Sequence, residues 1–230
     1  MAGRISMSAA TEPASCVHPH AAQMDAVYAF QRHIYDLTRK YYLLGRDRLI
    51  AGLDVPKGGL VLEVGCGTAR NMALAARRYP EARFYGIDIS AEMLKSAEKT
   101  LARSNLSGRC TLALGDAANF DALALLGEAR FDRIVFSYTL SMIPPWQEAL
   151  AHACTLLAPG GEIHVVDFGQ QEGLPRWFAR LLKAWLARFH VSPRADLFSY
   201  CEKLAVEHGL SCEAALLYRD YARALVLSRT

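Results

Sequence analysis

The run Glu63-Val64-Gly65-Cys66-Gly67-Thr68-Ala69-Arg70-Asn71 holds the most chemically suggestive spacing in the chain. Glycines at alternate positions let the backbone turn tightly and let a ligand approach amides that face it at a helix N-terminus. A glycine pair on its own also serves as a plain strand-to-helix connection, and two acids favour the ligand. Asp88, in Gly86-Ile87-Asp88-Ile89-Ser90, lies about twenty residues beyond the loop, where a carboxylate can accept both hydroxyls of a ribose. Its other use would be to cap a helix starting at Ala91, a role Ser90 fills better. Asp116, in Gly115-Asp116-Ala117, is placed either to accept from an adenine amino group or to hold a turn.

These residues need a scaffold that brings loop ends together. Leu60-Val61-Leu62-Glu63-Val64 is an apolar run too short for a helix, entered through the turn Pro56-Lys57-Gly58-Gly59, and reads as a buried strand. Helical and strand patterns then alternate: helices are predicted over 71–79, 91–104, 120–126 and 145–157, strands over 83–87, 110–114, 133–137 and 162–167, with a turn at 159–161. Such a βαβ series is satisfied by a parallel sheet with helices on both faces. Two strand-like runs, 213–217 and 222–228, are separated by a few residues and predict an antiparallel hairpin at the sheet edge. The expected fold is therefore α/β, a seven-stranded, mostly parallel Rossmann-like sheet ending in that hairpin. Residues 1–23 lack periodicity and are expected to be a flexible tail, and 24–230 a single domain whose residues 24–53 form helices broken near Gly45.

Composition sets limits. With 230 residues, 52% hydrophobic and 21% charged, the chain can bury a core, which excludes a disordered polymer. No window approaches a membrane span, and the first 25 residues lack the apolar run of a signal peptide, so no export is expected. Six cysteines without a CxxC suggest neither a disulfide framework nor a metal site, and fit a reducing cytoplasm.

The loop separates two ligand classes that share the ribose acid. A dinucleotide loop needs a third glycine for close contact with a pyrophosphate, whereas Ala69 and Arg70 occupy that region here. Glu63, two residues before Gly65, would repel a diphosphate but can bind donors near a cationic amino acid group. Together Glu63-x-Gly65-x-Gly67, Asp88, Gly115-Asp116, Phe131-Asp132 and Leu157-Ala158-Pro159-Gly160-Gly161 resemble the Rossmann-like S-adenosylmethionine-dependent methyltransferases over about residues 55–170. The resemblance implies S-adenosylmethionine as cofactor. It implies cofactor contacts from Glu63, Gly65, Cys66, Gly67, Arg70 and Asn71, from Asp88, Ile89 and Met93, from Asp116 and Ala117, and from Ser137. No metal is implied. An NAD dehydrogenase and a cofactor-binding subunit without catalysis are the rival readings.

The flanks bear on the methyl acceptor. Tyr35, Asp36, Thr38 and Arg39, then Leu43 to Asp47, Gly65 to Asn71 and His164 to Gly169, resemble the bacterial N-methyltransferase of betaine-lipid synthesis. That family trimethylates the amino group of diacylglyceryl-homoserine; a quinone or another small amine is the alternative acceptor. An alkyl amine has a reference pKa of roughly 10, so a general base or a desolvating pocket must supply the neutral nucleophile. Tyr35 on the lid, Ser137 and Tyr138 after the fourth strand, and Asp167 after the fifth are the candidates. His164 lies mid-strand and is expected to serve packing, and His18 and His20 belong to the tail.

Residues 170–197 form a basic amphipathic insertion. From Pro175 onward, Arg176, Arg180 and Lys183 share one helix face, while Trp177, Phe178, Leu181, Trp185 and Phe189 form another, with no acid between Glu172 and Asp196. Such a helix suits the anionic surface of the inner membrane, with a lipid head-group amine as substrate and no nucleic acid partner. A helix that merely covers the domain is the alternative.

Overall fold

The computed structural model describes residues 42–229. The expected tail, the lid residues before Tyr42, and with them Tyr35, Arg39, His18 and His20, lie outside the described residues. Seven strands form one sheet: β1 (Leu60–Val64), β2 (Arg83–Asp88), β3 (Cys110–Leu114), β4 (Phe131–Ser137), β5 (Leu157–Phe168), β6 (Leu210–Leu217) and β7 (Ala222–Arg229). Their order is β3-β2-β1-β4-β5-β7-β6, with β1 to β5 parallel and β7 antiparallel to both β5 and β6. The order reverses at β1, so the C-terminal ends of β1 and β4 open a crevice between chain segments that depart in opposite directions.

Strand parity divides the core. Leu62 and Val64 of β1, with Tyr85, Ile87, Ile134, Phe136, Ile163 and Val165, pack under α4 (Ala122–Leu126), α5 (Trp146–Thr155) and α7 (Leu197–His208). Val61, Phe84 and Val135 face the other way, against α1 (Arg46–Ala51), α2 (Arg70–Arg78) and α3 (Ala91–Arg103). Gly45 initiates α1 at φ 90, in the left-handed region that favours glycine.

The expected turn at 159–161 is a bulge within a longer β5. Phe131 pairs with Leu157 and Arg133 with Glu162, so the glycines loop out between two paired residues without ending the strand. The insertion is also redistributed. In α6 (Arg176–Ala187), Leu182 and Leu186 are buried and Phe178, Trp185 and Phe189 pack beside them, whereas Trp177 and Leu181 are exposed together with the basic residues. The single apolar face expected from the sequence is thus two adjoining stripes, one inward and one outward.

Candidate active site

The loop between β1 and α2 combines left-handed residues with internal hydrogen bonds. Gly65 (φ 71) and Gly67 (φ 54) carry the turn, and Ala69 (φ 56) starts α2. The Gly65 and Cys66 amides both donate to the Ile87 carbonyl at 2.9 Å, the Gly67 amide donates to Asp88 Oδ2 at 2.8 Å, and the Ala69 amide donates to the Cys66 carbonyl at 2.9 Å. These four amides are therefore held within the protein. The glycines serve close packing: a Cβ on Gly65 would lie 2.5 Å from Thr139 Cγ2, and one on Gly86 would lie 2.5 Å from the Met72 methyl.

A cavity of about 570 Å³ opens at these strand ends. Glu63, Gly65, Cys66, Gly67, Arg70, Asn71, Asp88, Ile89, Met93, Asp116, Ala117 and Ser137 all line it. Five buried polar atoms on its walls, Glu63 Oε2, Arg70 Nη1, Asn71 Oδ1, Ser137 Oγ and Thr139 Oγ1, have no hydrogen-bond partner among the described residues. Buried polar groups in folded chains are nearly always paired, so such a cluster marks a surface that a polar ligand completes. Asp88 bridges loop and helix: its Oδ1 accepts from the Ser90 amide at 2.9 Å, while Ser90 caps α3 by accepting from the Met93 amide at 3.3 Å. Asp116 accepts from the Ala118 amide at 3.0 Å, a turn role that coexists with its place on the wall.

Glu63 is the electrostatic centre of the cavity. Its Oε1 accepts from Asn71 Nδ2 at 2.9 Å, and its carboxyl is pushed up from 4.5 to about 7. Burial is the chief cause; the Asn71 hydrogen bond and the Arg46 guanidinium pull the other way. Because the folded value lies above the unfolded one, the stability Glu63 lends the ligand-free chain is complete below pH 4.5. It is lost as pH rises toward 7, by about 3 kcal/mol. A cationic ligand reverses the preference by favouring the carboxylate. Affinity for S-adenosylmethionine is therefore expected to rise about tenfold from pH 6 to pH 8 and to level off, with proton uptake by buffer in calorimetry at pH 6. Glu63→Gln should flatten that profile; a slope unchanged by the substitution would refute the assignment.

Two candidate bases are corrected. Asp167 does not reach the cavity: it is buried, its Oδ2 accepts from the Ser141 amide at 2.9 Å and its Oδ1 from its own neighbour's amide, Phe168, at 2.7 Å. Burial raises its pKa, and the bonds from Ser141 pull it back. It fixes the loop after β4 and touches no ligand space. Tyr138 lines the cavity, but its hydroxyl donates to the Leu44 carbonyl, and burial pushes the phenol well above its ordinary value. With Tyr221, whose hydroxyl donates to the Tyr42 carbonyl at 2.7 Å, it ties the segment entering α1 to the sheet. His164 remains in β5, buried against Glu162 at 2.8 Å, with its pKa lowered by burial.

Arg46, Thr139 and Met142 also line the cavity and were not singled out from the sequence. Arg46 lay within the lid motif at Leu43 to Asp47, a signal that could have found it; Thr139 and Met142 follow β4 without a distinguishing pattern. Among the described residues no group of His, Cys, Asp and Glu could hold a metal ion, and no helix is long and apolar enough to cross a membrane.

Residues 61–161, which contain every loop just described from β1 to β5, match the family model described as "Methyltransferase domain". This segment is similar to that family of methyltransferase domains. The fold is Rossmann-like, and the match implies S-adenosylmethionine as cofactor. The chain is 27% identical over 155 residues to a demethylmenaquinone methyltransferase of Geobacillus sp. (strain WCH70), covering 67% of this chain and 60% of that protein. It is 30% identical over 133 residues to a tRNA1(Val) (adenine(37)-N6)-methyltransferase of Porphyromonas gingivalis, covering 55% and 50%. In both cases the chain spans less than two thirds of the relative. Among solved structures, the S-adenosylmethionine-dependent methyltransferase SibL superposes with a TM-score of 0.65 at 22% identity, covering 87% of this chain and 57% of that one, a likeness of fold. The orphaned polar atoms and the Gly65 cradle fit the methyltransferase domain's cofactor, since the cavity offers a carboxylate for an ammonium, a guanidinium for a carboxylate and an acid for a ribose.

Proposed function

We propose that this protein is an N-methyltransferase that uses S-adenosylmethionine to trimethylate the amino group of diacylglyceryl-homoserine in betaine-lipid synthesis. The observation that carries the amine reading is the composition of the cavity wall. The carboxylates lining it among the described residues, Glu63, Asp88 and Asp116, all belong to the strand ends and loops assigned to the cofactor, and the segment between β4 and α5 contributes Met142, Ile143, Pro144 and Pro145. An ammonium entering against that apolar wall, with Leu43 and Met93 beside it, loses its hydration. Desolvation lowers an amine's pKa by up to about 3–5 units, enough to bring one near 10 into the neutral range without a dedicated base. The bound cofactor supplies an electrophilic methyl on a sulfonium. The chain's part is to align and dehydrate the nitrogen: Glu63 and Arg70 hold the amino acid end, Asp88 the ribose and Asp116 the adenine edge.

The finer acceptor assignment is supported by the resemblance of Leu43 to Asp47, Gly65 to Asn71 and His164 to Gly169 to the betaine-lipid enzyme. The relative named demethylmenaquinone methyltransferase favours a second reading, a quinone acceptor. The purified protein, given S-adenosylmethionine with a labelled methyl, is expected to label diacylglyceryl-homoserine and yield the trimethylated head group by mass analysis. Label appearing only in a demethylated quinone would replace the first reading with the second.

A further inference from the structure

We propose that the outward stripe of α6 is a docking surface for an anionic lipid bilayer, which brings the cavity mouth to the membrane. Trp177 and Leu181 lie one turn apart and are 69% and 64% exposed, although the rest of the helix's large apolar side chains turn inward. Beside them Arg176, Arg180 and Lys183 are exposed on the adjoining face, and Arg188 is exposed in line with Trp177 and Leu181 after the helix ends. A helix that merely covered the domain would need Phe178, Leu182, Trp185 and Leu186, and those four already supply its contact with the protein. The exposed tryptophan and leucine are extra apolar area bordered by a cluster of cations, the composition of a helix lying in a bilayer interface. A phosphate backbone would use the cations but gain nothing from Leu181, which favours lipid over RNA.

The stripe is coupled to the site through its own reverse side. Trp185, Leu186 and Phe189 border a small apolar void whose other walls include Leu43, Tyr138 and Met142, residues that also line the main cavity. The turn between β6 and β7 abuts the segment that enters the helix: a Cβ on Gly173 would lie 2.8 Å from Cβ of the exposed Arg219. This proposal deepens the lipid-acceptor reading by naming the surface that presents the substrate. It stands on α6 alone, and a quinone acceptor, itself a bilayer lipid, would leave it intact.

Flotation of the full chain with vesicles tests it. The parent is expected to float with phosphatidylcholine vesicles containing phosphatidylglycerol at low salt, to stay down with pure phosphatidylcholine, and to detach as salt is raised. Each cation near such a surface is worth about fivefold in partitioning, so a variant combining Arg176→Gln, Arg180→Gln and Lys183→Gln should bind about a hundredfold more weakly. Trp177→Ala with Leu181→Ala should weaken binding about tenfold or more at unchanged charge. None of these residues lines the cavity, so S-adenosylhomocysteine binding by each variant should match the parent and report intact folding. Failure of the parent to float with anionic vesicles, equal flotation of the triple variant, or retention by tRNA with no vesicle binding would each overturn the proposal. Methylation of detergent-dispersed diacylglyceryl-homoserine, measured separately, reports on the acceptor reading whether or not the vesicles bind.

Discussion

Asp88→Ala is expected to lower affinity for S-adenosylhomocysteine by about 100-fold or more in calorimetry, because the substitution removes two things at once. One is the acceptor for the ribose hydroxyls; hydrogen bonds to a charged group are worth about 1.5–3 kcal/mol each. The other is the hold on the loop itself, since Oδ2 accepts from the Gly67 amide at 2.8 Å and Oδ1 from the Ser90 amide at 2.9 Å. Without the carboxylate the Gly67 amide loses its partner and the turn loses one of its ties to β2. Asp88→Asn keeps one oxygen for one amide and loses the charge, so it should fall between parent and Ala. A ligand lacking both ribose hydroxyls separates the two contributions: it should bind the parent much more weakly than S-adenosylhomocysteine does, and the Ala variant only slightly more weakly. The coupling in that cycle is the ribose term. Binding of S-adenosylhomocysteine by Asp88→Ala at the parent's affinity would show that the carboxylate serves the loop alone.

Most of the scaffold was legible because its signals are local. Leu60 to Val64 is a short apolar run between turns, and Asp88 and Asp116 stand where strands end, so the strand pattern alone delivers those acids to one edge of a parallel sheet. What resisted was orientation. Asp167 and Val166 are neighbours near the end of β5, but alternate residues face opposite sides of a sheet, and Asp167 shares parity with Ile163 and Val165. Only the position of the loop after β4, which offers the Ser141 amide, shows that its carboxylate is consumed there. Tyr138 failed differently: it does reach the cavity, but its hydroxyl is taken by the carbonyl of Leu44, 94 positions away in the chain, a contact no local pattern encodes. In α6 the apolar arc is broad, and helical spacing cannot tell how much of it the protein covers. The exposed Trp177 and Leu181 are the remainder.

The second large effect is expected at Gly65. Gly65→Ala should lower S-adenosylhomocysteine affinity at least tenfold and reduce stability by about 1–3 kcal/mol, read as a lower midpoint in urea. Two physical terms combine. At φ 71 a side chain costs about 1–2 kcal/mol of backbone strain, and the added Cβ would sit 2.5 Å from Thr139 Cγ2 and 3.1 Å from Thr139 Cβ. Real Cβ atoms do not approach carbon that closely, so either the loop lifts, displacing Cys66 and Gly67 from β2, or the segment after β4 retreats and takes Thr139 and Met142 with it. Both movements change the cavity wall, which is why affinity falls along with stability. Thr139→Ser removes Cγ2 while keeping the hydroxyl, and alone should alter binding little. Combined with Gly65→Ala it should recover part of the lost affinity, because the closest contact is gone while the strain and the 3.1 Å approach remain. A double variant no better than Gly65→Ala alone would assign the loss to backbone strain and remove Thr139 from the account; Gly65→Ala binding like the parent would show that the loop can yield without disturbing the site.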